Sequence, residues 1–283
     1  MLRIAIQAKG RLNEESIGLL AEAGVSIEDS KRKLLARSDG FPLEVLYLRD
    51  DDIPQAVSMG VADLGVVGLN EVEEKGFDVE IVHRLGFGKC RLSLAVPKTE
   101  PYDGLSYFEG KRVATSYPVI LSRFFREKGI AAEIHEIAGS VEIAPSVGMA
   151  DAIFDIVSSG GTLVTNGLKE VEQVLFSEAV LIGGRALSDD KRQTLSQLLF
   201  RIEAVERSRG LKYVLMNLPH AKIPEAVRIL PGMKSPTILP LAQEGWSSMH
   251  VVINERDLWS KIEQLKAIGA EDILGLSLEK MIR

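Results

Sequence analysis

Short apolar runs alternate with helical patterns through the first 210 residues of the chain, and this alternation constrains the fold more than any other feature. An apolar run bounded by turn residues is typical of a buried strand, whereas apolar residues three and four apart are typical of a helix. The alternation predicts an α/β architecture built on a largely parallel sheet. The helical pattern over Asp189–Arg209 stops at Gly210, and we expect a domain boundary there.

The predicted elements before and after this boundary follow different orders. The strands before it are Leu2–Gln7, Leu43–Leu48, Leu64–Val67, Ile81–Leu85, Leu92–Val96, Val113–Thr115, Glu133–Ile137, Ile153–Val157 and Val180–Ile182. The other helices before it are Leu12–Ala23, Ile53–Met59 and Ile120–Lys128. From Tyr213 onward the order becomes β-α-β-β-α-β, which predicts a ferredoxin-like domain.

Composition places the chain among globular proteins, since 46% of its 283 residues are hydrophobic and 26% are charged. This length predicts about two or three domains. The net charge of −6 argues against a nucleic-acid binder, because such proteins usually carry a basic face.

Cysteine content and the amino-terminal sequence predict a cytoplasmic protein. Cys90 is the only cysteine, so no disulfide can form within the chain. The segment Met1–Ile6 lacks the features of a signal peptide, and no stretch approaches the ~20 apolar residues of a membrane span. The four histidines are far apart, so we expect no metal held by protein nitrogen or sulfur.

The most specific local feature is a hydroxyl- and glycine-rich turn that follows an apolar run. The run ends at Asp155 and two apolar residues, and the turn is Ser158-Ser159-Gly160-Gly161-Thr162. Glycine lets successive N–H groups face an anion, and hydroxyl groups add donors. Asp155 is placed to accept hydrogen bonds from sugar hydroxyls. The pattern predicts a sugar-phosphate site; the alternative is an ordinary turn with Asp155 capping a neighbour.

Basic residues follow two other predicted strands. Lys9 and Arg11 come directly after the first strand, and Arg49 follows Leu43–Leu48. Ligands of open α/β sheets bind outside the carboxyl ends of the strands, so these cations are candidates for phosphate binding. The alternatives are a solvated loop for Lys9 and Arg11 and a surface ion pair for Arg49.

Further polar candidates lie near other strand ends. Asn70 follows Leu64–Val67, and Arg112 and Tyr117 lie on either side of Val113–Thr115. Tyr117 either stacks on a base or belongs to the core. The chain contains neither a G-x-S-x-G nor a Walker A sequence, so we expect no nucleophilic triad and no P-loop.

Glu142 precedes Asp155 by thirteen positions, and the two carboxylates form a candidate pair. Carboxylates near one sugar can hold its hydroxyl groups or the Mg²⁺ that accompanies a pyrophosphate. Mg²⁺ typically takes one or two carboxylates together with substrate phosphates, so no cage of protein ligands is required.

Several of these residues belong to a longer pattern that resembles a known family. The positions that match the signature of the ATP phosphoribosyltransferase family are Glu142, Gly148, Ala150, Ile153, Asp155, Ile156, Ser159, Gly160, Thr162 and Leu163. Segments that also recur in that family include Lys9–Leu12, Arg91–Leu94, Ala114–Pro118 and Ser235–Leu241. The resemblance covers nearly the whole chain, and its C-terminal block indicates the long form, which has its own regulatory domain.

The resemblance implies a two-lobed core like a type II periplasmic binding protein, with a C-terminal ferredoxin-like domain. Lobe I is expected at 1–95 with 178–209, lobe II at 96–177 and the regulatory domain at 210–283. The implied reaction is Mg²⁺-dependent transfer of phosphoribosyl from phosphoribosyl pyrophosphate to N1 of ATP, the first step of histidine biosynthesis. Feedback inhibition by histidine and dimers that assemble into hexamers are implied as well.

The same resemblance implies a role for each candidate residue. Ser158–Thr162 would bind the 5-phosphate in lobe II, and Asp155 the ribose hydroxyls. The residues expected to contact pyrophosphate, ATP or Mg²⁺ are Lys9, Arg11, Arg49, Asn70, Arg112, Tyr117 and Glu142, the last through the ribose or the metal. Histidine would contact Ser235, Thr237 and Asn217 in the regulatory domain.

Two other classes of protein share parts of this pattern. A solute-binding protein has two lobes without catalysis, but the missing signal peptide and the long helix Asp189–Arg209 count against it. A ligand-sensing regulator would use the C-terminal domain as a sensor, but no basic helix-turn-helix segment supports a DNA target. Pyrophosphate release distinguishes the enzyme from both.

Overall fold

The computed structural model describes residues 1–27 and 34–282, so Arg283, the last residue of the expected regulatory domain, lies outside the described residues. The chain forms two compact units, Met1–Ala21 with Val25–Leu195, and Glu22–Gly24 with the residues from Ser196 onward. The strands of the first unit are β1 (Leu2–Gln7), β2 (Ser26–Ile27), β3 (Leu35–Asp39), β4 (Leu43–Leu48), β5 (Leu64–Gly68), β6 (Glu80–Arg84), β7 (Cys90–Pro97), β8 (Arg112–Thr115), β9 (Glu133–Glu136), β10 (Ala152–Val157), β11 (Leu168–Ser177) and β12 (Ala179–Gly183). Its helices are α1 (Arg11–Glu22), α2 (Ile53–Ser58), α3 (Leu69–Lys75), α4 (Pro118–Lys128), α5 (Gly161–Thr165) and the beginning of α6 (Asp189–Ser208).

Lobe I is built on a seven-stranded sheet with the order β2-β3-β4-β1-β5-β12-β6. Its central strands β4, β1 and β5 run parallel. Helix α2 packs on this sheet through Ile53 and Val57, which share a core cluster with Val67 and Ile182. Apolar residues fill these strands because helices cover the sheet and remove it from water.

Lobe II is built on a five-stranded sheet with the order β11-β7-β10-β8-β9. Phe108, Phe125 and Phe154 are almost completely buried on one face of this sheet. The rings of Phe108 and Phe125 lie 5.7 Å apart, within the range of favourable aromatic pairs. Helix α4 contributes Phe125 to this core, and Gly129 at φ +70° ends the helix.

Both sheets are mixed, so the expectation of a largely parallel sheet is wrong. Strand β12 runs antiparallel to β5 and β6, and β7 runs antiparallel to β10 and β11. The cause is the path of the chain, which leaves lobe I at the end of β6 and returns at the start of β12. Both passages lie at one edge of each sheet. The predicted boundary between the lobes at residue 95 falls inside strand β7. In the structure, β7 pairs only with strands of lobe II.

The second unit contains the order β-α-β-β-α-β, as the sequence predicted. Its elements are β13 (Leu211–Pro219), α7 (Ile223–Ile229), β14 (Thr237–Pro240), β15 (Trp246–Asn254), α8 (Glu255–Ala267) and β16 (Glu271–Ser277). The antiparallel sheet has the order β14-β15-β13-β16, which is the ferredoxin-like arrangement. Buried side chains such as Met216 and Met249 pack against the two helices.

Five elements are absent from the sequence prediction: β2, β3, α3, α5 and β11. Strand β11 carries Lys169, Glu170 and Glu172 among its apolar residues, and bulges interrupt its pairing with β7, so its alternation is irregular. Helix α3 is short and has three glutamates, which hides an apolar period. No helix in the described part of the chain has the length and apolar character needed to cross a membrane.

Candidate active site

The predicted sugar-phosphate turn lies at the carboxyl end of β10, close to the point where the chain enters lobe II. Val157, the last residue of β10, pairs with Arg91 near the start of β7, which places the turn at that edge of the sheet. Gly160 has φ +80°, a conformation that favours glycine, and α5 begins at the next residue. The Ser158, Ser159 and Thr162 side chains are exposed. The segment can therefore present hydroxyl and backbone donors to an anion.

Asp155 and Glu142 form a pair of interacting carboxylates beside this turn. Asp155 lies on β10, and Glu142 lies in a short 3₁₀ helix, Val141–Ile143. Burial raises the pKa of Asp155, and the charge of Glu142 raises it further, while the N–H of Ile156 donates to Asp155 Oδ1 at 2.7 Å and opposes the shift. Two acids whose charges affect one another form a local acceptor site for hydroxyl groups or a cation.

Lys9, Arg11 and Arg49 gather at the corresponding edge of lobe I. Lys9 and Arg11 follow β1, and Arg49 follows β4, which is the parallel neighbour of β1. All three side chains are exposed, and Arg11 Nε donates to Glu15 Oε1 at 2.9 Å. An exposed ion pair of this kind is weak, so a phosphate can replace the carboxylate without large cost.

Asn70 and Tyr117 meet in a buried hydrogen-bond network between the lobes. Asn70 Nδ2 donates to the Tyr117 hydroxyl at 3.2 Å and to Glu71 Oε1 at 3.1 Å, and Ser177 Oγ donates to Asn70 Oδ1 at 2.8 Å. The Tyr117 hydroxyl donates to Glu71 Oε1 at 3.0 Å. The side-chain amide of Asn70 thus has hydrogen-bond partners within the protein, one of which is the Tyr117 hydroxyl.

Burial shifts the titration of both acids in this network. It raises the pKa of Glu71, although the hydrogen bond from Tyr117 opposes that shift. Burial, followed by the charge of Glu71, raises the pKa of Tyr117, and the charge of Asp155 adds to the effect. The influence of Asp155 on Tyr117 links the network to the carboxylate pair.

A cavity of about 330 Å³ opens between the lobes and connects several of these groups. Of the predicted residues, Arg11, Asn70, Tyr117 and Ser158 line it. The lining residues that the sequence analysis did not name as site candidates include Gln7, Asp50, Lys89 and Cys90. Most of them lie within two residues of a strand end. This position could have identified them, but sequence patterns locate strand ends only approximately.

Arg112 is not brought to this cavity. It begins β8, and its guanidinium forms a bidentate pair with Asp151, with Nη2 to Oδ1 at 2.9 Å and Nε to Oδ2 at 3.2 Å. Strands β8 and β10 run parallel, so Arg112 lies at the end of the sheet opposite to Ser158. The contact of Arg112 with the nucleotide stays a prediction; in the structure its side chain pairs with Asp151, the residue directly before β10.

A second cavity, of about 680 Å³, lies in the C-terminal unit. Ser235 and Thr237 line it together with Tyr213, Lys234 and His250. Tyr213 Oη lies 2.8 Å from His250 Nδ1, and Ser248 Oγ lies 3.1 Å from Nε2, so both ring nitrogens are engaged.

Asn217, the third residue expected to contact histidine, is not among the residues lining this cavity. Its Nδ2 instead donates to Asp272 Oδ2 at 3.1 Å. The structure therefore brings Ser235 and Thr237 together and leaves Asn217 apart.

Two α/β lobes with a cleft between them have the fold of the periplasmic-binding-protein class. A solved histidine kinase sensor domain, described as similar to periplasmic binding proteins, shares this fold with a TM-score of 0.50 at 9% identity, over 74% of this chain and 91% of that chain. The family model described as HisG, ATP phosphoribosyltransferase, matches residues 49–204, and the model described as HisG, C-terminal domain, matches residues 208–280.

The sequences of two relatives align with the full length of the chain. It is 61% identical over 282 residues to an ATP phosphoribosyltransferase of Bacteroides thetaiotaomicron, covering 100% of both chains. It is 51% identical over 283 residues to one of Cytophaga hutchinsonii, covering 100% of this chain and 99% of the relative. The solved ATP phosphoribosyl transferase (HisG:HisZ) complex from Thermotoga maritima matches with a TM-score of 0.61 at 29% identity, over 72% of this chain and 99% of that chain.

The chain belongs to the ATP phosphoribosyltransferase family, in its long form, and is a transferase. The family resemblance predicted from the sequence is thereby confirmed, as are the two-lobed core and the C-terminal ferredoxin-like domain.

Proposed function

We propose that the protein transfers the phosphoribosyl group of phosphoribosyl pyrophosphate to N1 of ATP, releasing phosphoribosyl-ATP and pyrophosphate as the first step of histidine biosynthesis. One observation supports this proposal within the family: Ser158 of the hydroxyl-rich turn and the cation Arg11 line one cavity between the lobes, and the interacting carboxylates Asp155 and Glu142 belong to the same lobe as the turn. A sugar phosphate with a pyrophosphate leaving group requires these three kinds of group.

The reaction needs alignment and charge stabilisation rather than a protein nucleophile. Adenine N1 has a lone pair and attacks C1 of the ribose, while the bond from C1 to the pyrophosphate oxygen breaks and the oxygen keeps the electron pair. Ser158–Thr162 bind the 5-phosphate and Asp155 accepts from the ribose hydroxyls, which fixes C1 in position. Lys9, Arg11 and Arg49 stabilise the charge that develops on the departing pyrophosphate or bind the ATP phosphates.

Tyr117 is the residue we assign to the adenine ring. Its side chain is 8% exposed and lines the cleft, with its hydroxyl held by Glu71 and Asn70. A ring fixed in this way offers a face or edge to a base with little loss of side-chain entropy on binding. Asn70 supports Tyr117 in this assignment.

Mg²⁺ fits the residues present when the substrate supplies part of its coordination. Among the described residues, no group of three or more His, Cys, Asp or Glu is arranged to hold a metal ion by itself. Asp155 and Glu142 offer a carboxylate pair, and Mg²⁺ commonly binds one or two carboxylates plus substrate phosphates. When bound, the ion would neutralise pyrophosphate charge, and Glu142 is the residue we assign to the ion or to the ribose.

Histidine is proposed to inhibit the enzyme at the C-terminal unit. The hydroxyl groups of Ser235 and Thr237 line one cavity there and offer partners to the charged ends of an amino acid. Asn217 is a further candidate only if its hydrogen bond to Asp272 is exchanged. We also propose a cytoplasmic enzyme that assembles through dimers into hexamers.

The test is an assay of pyrophosphate release by the purified protein with ATP, phosphoribosyl pyrophosphate and Mg²⁺, with and without histidine. Release that needs all three components, and that histidine suppresses, is the expected result. Release that histidine does not affect would remove the inhibitor assignment and leave the enzyme. Binding of the substrates without release would favour a binding protein instead.

A further inference from the structure

Arg91 is held in one orientation by a bidentate ion pair. Its Nε and Nη2 donate to Glu170 Oε1 and Oε2, each at 2.5 Å. Ser93 Oγ donates to the same Oε1 at 2.8 Å, and Ser93 is completely buried. Arg91 and Ser93 are two residues apart on β7, so both point to the same face of the sheet. Glu170 therefore fixes the plane of the guanidinium group.

The third nitrogen of this guanidinium contacts the turn that follows β10. Arg91 Nη1 donates to the backbone carbonyl of Ser158 at 3.2 Å. Val157, the residue before Ser158, is the cross-strand partner of Arg91, so the contact occurs where the strand pairing ends and the turn begins. A side chain that is only 24% exposed and firmly oriented thus holds the first residue of the turn.

Peptide geometry makes this contact relevant to the next amide. The carbonyl of Ser158 and the N–H of Ser159 belong to one planar peptide unit and point in opposite directions. Fixing the carbonyl toward Arg91 therefore fixes the direction of the Ser159 N–H. A cation on the carbonyl oxygen also polarises the peptide unit and strengthens that N–H as a donor.

The pair remains charged over the whole working range of pH. Glu170 raises the pKa of Arg91, and Arg91 lowers the pKa of Glu170, with Ser93 contributing a smaller effect. Both shifts favour the charged forms whose ion pair orients Arg91.

We propose that Arg91 is a positioning residue of the phosphate subsite, acting through the Ser158 carbonyl, and that Glu170 is the residue that orients it. The inference rests on the proposed function of Ser158–Thr162 as the 5-phosphate turn. Neither side chain needs to touch the substrate. Their role is to preorganise the turn, so that less ordering is required when phosphate binds.

The first test compares Arg91→Lys and Glu170→Gln with the wild-type protein. Lysine keeps the charge but lacks the fork that holds Glu170 and Ser158 together. We expect the Kd for ribose 5-phosphate, measured by calorimetry, to rise about tenfold in both variants. The KM for phosphoribosyl pyrophosphate should rise in parallel, while the KM for ATP stays within about twofold.

Arg84→Lys is the matched control. Arg84 also pairs with a glutamate, Nη1 to Glu178 Oε1 at 3.0 Å, but it lies on β6 in lobe I. Its Kd for ribose 5-phosphate should equal that of the wild type. An unchanged Kd in folded Arg91→Lys, or an equal rise in both KM values, would show that the ion pair only stabilises the lobe and would overturn the proposal.

The exchange of both charges, Arg91→Glu with Glu170→Arg, separates stability from positioning. Strand β7 lies between β10 and β11, so an arginine at position 170 starts one strand further from Ser158. The double variant should recover the melting temperature lost in Arg91→Glu without recovering affinity for ribose 5-phosphate. Recovery of both would contradict the role of the Ser158 contact.

Two measurements on the wild type test the two proposals separately. Pyrophosphate release tests the proposed reaction, and binding of ribose 5-phosphate tests the positioning role of Arg91. If the wild-type protein binds ribose 5-phosphate with an affinity that Arg91→Lys lowers, but releases no pyrophosphate, this inference stands and the proposed reaction is lost. A wild-type protein that does not bind ribose 5-phosphate overturns the inference, whatever its activity.

Discussion

The carboxylate of Glu74 accepts the backbone N–H of Ile120 at 2.9 Å, although α3 belongs to lobe I and α4 to lobe II. Its other oxygen accepts the N–H of Val119 at 2.9 Å, and Pro118, the first residue of α4, has no N–H to offer. One lobe thus caps a helix of the other. Because the Glu74 carboxylate accepts these two N–H groups, they are not available to a substrate phosphate. The turn after β10 is the anion site that we propose instead.

This cap should contribute measurably to stability. Glu74 is 8% exposed, and Glu74→Ala would leave two backbone donors without their acceptor. We expect a loss of about 2 kcal/mol in the free energy of unfolding, measured by urea denaturation. The matched control is Glu73→Ala, which removes the partly exposed pair with Arg123 and should cost under about 1 kcal/mol. Equal losses in the two variants would refute the capping role.

Glu71 should make stability depend on pH. Burial raises the pKa of Glu71 from 4.5. The contribution of the protonated Glu71 carboxyl to folding stability is therefore fully present below the ordinary glutamate range and is lost as pH rises through the folded-state pKa. Glu71→Gln removes the titration, so the variant should gain stability relative to the wild type as pH rises from the ordinary glutamate range towards neutrality. The measurement is the melting temperature of both proteins across that range. A constant difference would contradict the assignment, because loss of the hydrogen bond alone does not depend on pH.

Gly160 should be needed for its backbone conformation rather than for space. Its φ is +80°, and an added Cβ would meet no atom closer than 4.0 Å. Gly160→Ala should lower the free energy of unfolding by about 1 kcal/mol and raise the KM for phosphoribosyl pyrophosphate. Gly110, at φ +66° with open space around it, provides the control. Gly110→Ala should show a similar loss of stability with an unchanged KM, and a raised KM there would remove the link to the turn.

Asp155 should be required for turnover. Asp155→Ala removes an acceptor for the ribose hydroxyls, and kcat/KM should fall about 100-fold or more. Asp103→Asn, at an exposed position of lobe II, should leave kcat/KM unchanged. Full activity of Asp155→Ala in steady-state assays would eliminate the assignment.

Thr237 should affect inhibition without affecting catalysis. Thr237→Ala removes one hydroxyl from the cavity of the C-terminal unit, and the histidine concentration for half-inhibition should rise about tenfold. Ser260→Ala, a hydroxyl on α8 that bonds within its own helix, should leave inhibition unchanged. Unaltered inhibition in Thr237→Ala would place histidine elsewhere.

Local patterns carried most of the prediction of the fold. Leu2–Gln7 and Leu43–Leu48 coincide with β1 and β4, because short runs that are mostly apolar favour strands even when Arg3 or Glu44 interrupts them. The turn after β10 was also accessible, since its hydroxyl and glycine content acts locally. Strand direction was not accessible in the same way, because it depends on where the chain leaves and re-enters lobe I.

Long-range partners explain what the sequence could not predict. Glu74 and Ile120 are 46 positions apart, and nothing local distinguishes the capping glutamate from Glu73 beside it. Arginine is a residue type that often binds phosphate, but Arg112 pairs with Asp151 at the start of β8, far from the carboxyl end of β10. Contacts of this kind are selected by tertiary packing, which periodicity and residue type do not encode.

Cys90 and Ser177 are cross-strand partners at the margin of lobe II. Residues paired in this way have Cα atoms about 5 Å apart, so lobe II enters and leaves the rest of the chain at nearly one point. Lobe II is in effect an insertion into lobe I. The sheet and the core clusters of lobe II lie within the segment 90–177, so a short linker across the gap would be long enough to rejoin the two parts of lobe I.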